Sequence, residues 1–282
     1  MRAYLAEFLG DPKVVALPRW LWLPILHLII LRTRPKKSAE KYAQIWTPEG
    51  SPLRVHTERQ VKLLREKTGW QVDYAMRYGE PSVLSRFREG MVVVPLYPQF
   101  AVSTTETIID LLPAGTRVVR DFHEHPAYIN ALAAVARRHR ASPMLLMSFH
   151  GLPKRGGAEY EAQCHKTGRL LAKTLGLKDG EWMVTFQSRF GAAEWLQPYT
   201  QPTLEELARK GVTQVDVFCP GFVSDCLETL EELGITAREA FLAAGGRDLR
   251  LLPCLNEAPE WIAALAEIAS EAAARPYPSN AG

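Results

Sequence analysis

Short apolar runs that alternate with helical stretches constrain this chain more than any other feature. Residues 72–78, 91–96, 117–121, 143–149, 182–187, 214–218 and 249–253 read as strands. Residues 54–67, 126–139, 159–175, 203–210 and 259–274 read as helices, the last with Trp261, Ile262, Leu265 and Ile268 at helical spacing. Strands separated by helices cannot close hairpins, so they pair in parallel and carry helices on both faces of the sheet. Seven strands suit two sheets of about four strands each better than one, with a boundary near residues 121–126. The first unit opens on a helix at 2–9 with no strand before it, whereas doubly wound domains ordinarily begin on their central strand. Either the topology differs there or the first strand is missing.

Two of these strands end in chemistry. Met144-Leu145-Leu146-Met147-Ser148-Phe149-His150-Gly151-Leu152-Pro153 places an imidazole where an apolar run stops at Gly and Pro. The run 215–218 stops at Cys219-Pro220-Gly221, and Asp225 and Glu228 follow at the start of a helix. Open α/β sheets bind ligands beyond the carboxyl ends of their strands, so an imidazole and carboxylates at two such ends suggest one cleft.

At 282 residues the chain can bury a large core, and 47% hydrophobic with 23% charged residues is ordinary for a globular protein. A net charge of +3, with basic residues dispersed apart from Arg32, Arg34, Lys36 and Lys37, argues against nucleic acid as a partner. Cys164, Cys219, Cys226 and Cys254 form no CxxC pair, which disfavours a disulfide framework or a zinc site and suits reduced thiols in a cytoplasm. An iron–sulfur cluster would need all four thiols to converge and is not expected. The run Trp20 to Leu31 is too short to span a bilayer, which takes about 20 residues. It reads either as a core helix or cleft wall, or as an interfacial contact with tryptophans at one end and basic residues at the other. The N-terminus shows no signal-peptide pattern.

The motifs in order resemble the ferrochelatases of proteobacteria: Phe8-Leu9-Gly10-Asp11-Pro12, Leu96-Tyr97-Pro98-Gln99-Phe100, Ser148-Phe149-His150-Gly151-Leu152-Pro153 and Gln187-Ser188-Arg189-Phe190-Gly191. Trp195-Leu196-Gln197-Pro198-Tyr199-Thr200, Cys219-Pro220-Gly221-Phe222, the stretch from Asp225 to Glu232 and Cys254-Leu255-Asn256 continue the series. The resemblance implies insertion of ferrous iron, as substrate, into protoporphyrin IX to form protoheme, with no resident cofactor required. It implies two similar Rossmann-like domains with parallel four-stranded sheets and a cleft between them: residues 1–125, residues 126–256, and a C-terminal helix, 257–282, packing back on the first.

Two pyrrole protons must leave during metallation, which calls for a base in an apolar cleft, and imidazole suits that task. His150 matches the family's active-site histidine, as proton acceptor or as metal ligand. Glu228 matches its active-site glutamate, across the macrocycle from His150, guiding metal or accepting a proton. Tyr97 and Trp195 are candidate contacts of the ring, and Arg32 and Arg34 are candidate partners of its propionates through bidentate pairing. Asp225 reads as a helix-start or orienting residue, Glu231 as a solvated face, and Glu232 as a continuation of an acidic path. Cys226 stands where some relatives carry histidine.

Relatives begin with an apolar strand and a Leu-Gly-Thr-Pro-like turn before the helix at Arg2, and neither is present here. Weak or absent activity of the chain as written is therefore expected. The rival readings are a coproporphyrin ferrochelatase and an inactive, truncated porphyrin- or heme-binding protein. Cytoplasm, or a peripheral seat on the inner membrane, is the expected location.

Overall fold

The computed structural model describes residues 1–15, 17–189, 191 and 193–275. Phe190 lies outside them, and so, from 276 on, does the tail 275–282 for which the sequence suggests disorder.

The chain opens on helices: α1 (Arg2–Gly10), α2 (Arg19–Ile25), α3 (Leu31–Ile45) and α4 (Pro52–Thr68). A π-helical segment, Leu26–Ile30, joins α2 to α3, so one rod runs from Arg19 to Ile45. The apolar run that begins at Trp20 is thereby split. Trp22, Leu26 and Leu31 pack with Leu5 and Leu9 of α1, and the Trp22 indole N–H donates to the Leu9 carbonyl at 2.7 Å. Trp20 (79% exposed), Leu21, Leu28 and Ile29 face outward. The run thus has one face in a core and one face exposed. α4 starts on Pro52, where a missing N–H costs nothing, and ends at Gly69 in the left-handed region.

Next come α5 (Val83–Arg86), β1 (Val92–Val93), α6 (Thr105–Ile109) and β2 (Arg117–Val118). β1 and β2 pair in parallel, Val92 opposite Arg117. Among the described residues this sheet has two strands, where four were expected. Residues 72–78 are not a strand: apart from a single bridge between Met76 and Ser82 they run as coil. Their polar side chains are spent elsewhere, Arg77 on Asp11 at 2.5 Å and Asp73 on Arg86 at 3.1 Å. Strand-forming residues specify a strand only where a neighbour offers a ladder and a face to pack on.

The second half alternates regularly: α7 (Pro126–His139), β3 (Met144–His150), α8 (Ala158–Leu175), β4 (Trp182–Gln187), α9 (Thr200–Arg209) and β5 (Gln214–Phe218). It continues through α10 (Leu227–Leu230), a π-helical segment Glu232–Ala237, α11 (Arg238–Ala243), β6 (Asp248–Leu251) and α12 (Pro259–Ala274). The sheet order is β4-β3-β5-β6, all parallel. Leu145, Met147 and Phe149 point into one core with Leu132, Leu171 and Trp261. Leu146 points the other way and meets Leu204, Val217 and Phe241. Period-two alternation with apolar residues on both faces is what a sheet covered by helices on both sides requires. Each such side chain, once buried, contributes roughly 1.5–3 kcal/mol. Asp216 is fully buried in β5, and the amides of Ala141 and Ser142 satisfy it at 2.8 and 2.7 Å. α12 packs against α7, α4, β1 and β2. Its Trp261 ring stacks on Phe122 with centroids 5.8 Å apart and meets Tyr128 edge-on at 6.3 Å.

Candidate functional site

His150 ends β3 opposite Gln187, the last residue of β4. Its Nδ1 lies 2.7 Å from the Gly151 carbonyl oxygen. A carbonyl only accepts, so Nδ1 carries the proton in the neutral ring and Nε2 carries the free lone pair. The tautomer is thus set for a base or a metal ligand acting through Nε2. Tyr160 donates to the His150 carbonyl at 2.9 Å, and the Phe222 ring lies 6.5 Å from the imidazole. Gly151 is required by close approach: a Cβ there would sit 2.6 Å from the Gln187 carbonyl oxygen and 3.3 Å from the Trp195 ring. Trp195 therefore covers the turn beside His150, and its strand-like bridge to Pro153 holds it there.

Glu228 sits in the first turn of α10, whose start is capped by Cys226 and Thr229. Asp225 precedes this turn and bonds into it. It accepts from Thr229 Oγ1 at 3.0 Å and from the Asn256 side chain at 2.6 Å, and lies 6% exposed. Burial, with the Glu228 carboxylate adding to it, raises the pKa of three phenols. Tyr42 is pushed up to about 12, first by burial and then by Glu228. Tyr4 and Tyr97 are also raised, chiefly by burial with Glu228 adding to it. Tyr4 nevertheless keeps 37% of its surface, so it stands in a recess rather than in the core. Cys226 is raised by burial and by Glu228.

The structure thus groups Glu228 with Tyr97, and places Trp195 and Phe222 around His150. Gln187 joins the two groups: its backbone pairs with β3 at His150 and its side chain donates to the Glu228 carbonyl at 2.7 Å. Arg32 and Arg34 are not brought together. Two residues apart on α3, they point to nearly opposite sides of the helix. Arg32 is exposed, while Arg34 is half-buried, and burial lowers its pKa.

Glu231 differs from expectation. It is 5% exposed, not a solvated face, and its carboxylate takes Lys41 of α3 at 2.8 Å on both oxygens and Thr236 at 3.1 Å. Glu232 is engaged by the Ser188 amide at 2.7 Å and hydroxyl at 2.5 Å. Tyr4, Tyr42 and Arg77 escaped sequence reasoning. Arg77 lies near enough to Tyr97 to offset part of the rise in its pKa, and is anchored by Asp11. A cation inside an apolar stretch was the available signal.

All four cysteines are buried and unpaired, and burial raises each thiol. Among the described residues, three potential metal ligands gather within 4.8 Å only at His125, Glu267 and Glu271. There His125 Nδ1 accepts the Ala127 amide, which turns a protonated Nε2 toward Glu271 at 3.4 Å and offers a cation no lone pair. An open hollow of about 530 Å³ lined by Arg137, Arg140, Ser142 and Pro143 lies before β3, at the end of the strand opposite His150. Parallel sheets place ligands at the other end.

The family model described as Ferrochelatase matches residues 1–273. A ferrochelatase of Aromatoleum aromaticum (strain DSM 19018 / LMG 30748 / EbN1) is 55% identical, covering 95% of this chain and 81% of that relative. One of Azoarcus sp. (strain BH72) is 53% identical, covering 94% and 80%. Among solved structures, SirB from Bacillus subtilis superposes with a TM-score of 0.56 at 13% identity, over 78% of this chain and 89% of that one. CbiX, the terminal enzyme for siroheme biosynthesis in denitrifying bacteria, does so at 0.53 and 16% identity, over 83% and 92%. These two share the fold, as expected for two-faced parallel α/β sheets. On its sequence, the chain belongs to the ferrochelatase family.

Proposed function

We propose that this protein inserts ferrous iron into protoporphyrin IX, the step that completes protoheme, with His150 and Glu228 as its working pair. The observation that carries the site is the linkage through Gln187: an imidazole with a free Nε2 and a carboxylate stand at neighbouring strand ends, joined by one side chain. The reaction breaks two pyrrole N–H bonds and forms four Fe–N bonds while iron stays ferrous, so two protons need acceptors. His150 Nε2 takes one as it leaves the ring, and the fixed Nδ1–H keeps the lone pair aimed. Glu228, edged by phenols, attracts the dication and takes the other proton. Tyr97 and Trp195 contact the macrocycle, and the Arg34 guanidinium pairs with a propionate. Arg32, on the far side of α3, is the weaker candidate. Residues 1–125 and 126–256 form the two walls, and α12 ties them.

Among the described residues, no helix is long and apolar enough to cross a membrane. The outward face of Trp20, Leu21, Leu28 and Ile29, followed by Arg32, Lys36 and Lys37, suits a peripheral seat on the cytoplasmic leaflet. Protoporphyrin is itself apolar apart from its propionates, so such a seat would deliver it at the cleft.

Anaerobic incubation with Fe(II) and either protoporphyrin IX or coproporphyrin tests the reading. Metallation of protoporphyrin should fall at least about a hundredfold in His150→Ala and in Glu228→Gln, the loss typical of removing an acid–base group. Unchanged rates in both variants refute the site. Faster metallation of coproporphyrin refutes the substrate, and porphyrin binding without metallation supports the inactive binder instead.

A further inference from the structure

Two residues at the end of β4, Gln187 and Ser188, have contacts that the reaction as described does not use. Gln187 is 4% exposed. Its Oε1 accepts from Ser148 Oγ at 2.7 Å, and its Nε2 donates to the Glu228 carbonyl at 2.7 Å. That carbonyl can only accept, so the orientation of the amide is determined. The acceptor lies where helical pairing changes: α10 closes at Leu230, and π-helical pairing starts at Glu232. Just beyond, the Glu231 carbonyl takes both Ile235 and Thr236 amides. The Gln187 amide thus meets the Glu228 backbone in a helix of only four residues, next to a change of helical pitch. Ser188 holds the other side of this turn through its two bonds to Glu232. Its φ of +64° is left-handed, a strain that persists in a non-glycine residue only where its surroundings hold it. Meanwhile the Gln187 backbone is the ladder partner of His150, and its carbonyl receives the Gly151 amide at 2.7 Å.

We propose that Gln187, supported by Ser188, is the positioning residue that sets Glu228 at its working distance from His150. This rests on the site reading given above. One amide side chain is fixed at its base to the histidine strand and at its tip to the glutamate's own backbone. The pair therefore moves as a unit and keeps its spacing as a porphyrin enters. Misplacement of a reacting group by about 1 Å can cost on the order of a hundredfold in rate.

A double-mutant cycle on the whole chain, with anaerobic Fe(II) and protoporphyrin IX, tests the proposal. Gln187→Leu should lower kcat about thirtyfold, leave the porphyrin KM within about twofold, and cost less than about threefold more in a Glu228→Gln background. Gln187→Glu keeps the volume and the Ser148 contact but sets an oxygen against the Glu228 carbonyl, and should show the same pattern. It decides the matter if circular dichroism shows the leucine variant unfolded at assay temperature. A loss of equal size in both backgrounds, or a change in KM alone, overturns the positioning role. If Glu228→Gln by itself leaves kcat intact, the underlying site reading falls and this proposal with it, a result distinct from equal losses.

Discussion

His150 owes its free lone pair to the carbonyl of the residue that follows it, and that residue must be glycine. The sequence discloses the strand end, because an apolar run closing on His-Gly-Leu-Pro has few structural alternatives, but not the carbonyl bond or the close approach at Gly151. Gly151→Ala would drive a Cβ into the Gln187 carbonyl and should destabilise the fold by about 1–3 kcal/mol, read as a lower Tm, with metallation lost. The arginines separate by geometry. Arg34→Ala should raise the porphyrin KM about tenfold, the worth of a charge-assisted pair, while Arg32→Ala should change it less than about twofold. Equal effects would remove the preference for Arg34. Tyr4 and Tyr42 were not legible, since a tyrosine on an exposed-looking helix acquires meaning only from what the helix is laid across. Glu231 shows the same limit, because nothing in an acidic helix start says which carboxylate will meet a lysine 190 residues away.

That Lys41–Glu231 pair is what fastens α3 to the α10 region. Removing the lysine leaves a buried carboxylate uncompensated. Lys41→Met should therefore cost several kcal/mol, about 3–5 by analogy with broken buried pairs, toward the low end because Lys41 is itself half exposed. Chemical denaturation reads the loss directly, and a cost under about 0.5 kcal/mol would show the pair to be a surface contact in energetic terms. Helices α7 and α12 were legible to their end residues, because amphipathic spacing and an initial proline mark both. The π-helical segments were not, since an extra residue per turn leaves no mark in hydropathy. The coil at 72–78 was misread for the opposite reason: its residues favour a strand, and no partner ladder lies beside them.

Across the molecule, α12 reaches from α7 to α4 and the β1–β2 pair, so its packing joins the earlier part of the chain to the later one. Trp261→Ala should cost about 3–5 kcal/mol, measured by denaturant unfolding, as expected for a large aromatic removed from a full core. The tyrosine ring gives the protein an alkaline limit. The Tyr42 phenol rises from 10.0 to about 12 on folding, so the folded chain holds that proton more tightly than the unfolded one. Its contribution is complete below pH 10 and disappears as pH climbs through 12. Ultraviolet titration of phenolate should lag that of the denatured chain over this window, and coincident curves would contradict the burial of these rings.

The buried thiols carry one last consequence. Ferrous iron is thiophilic, and a protein that passes it toward a macrocycle risks losing it to sulfur. Here burial holds each thiol's proton in place, and at Cys226 the neighbouring Glu228 carboxylate adds to that effect. On the route proposed above, iron would therefore meet the Glu228 carboxylate and the His150 imidazole rather than a thiolate.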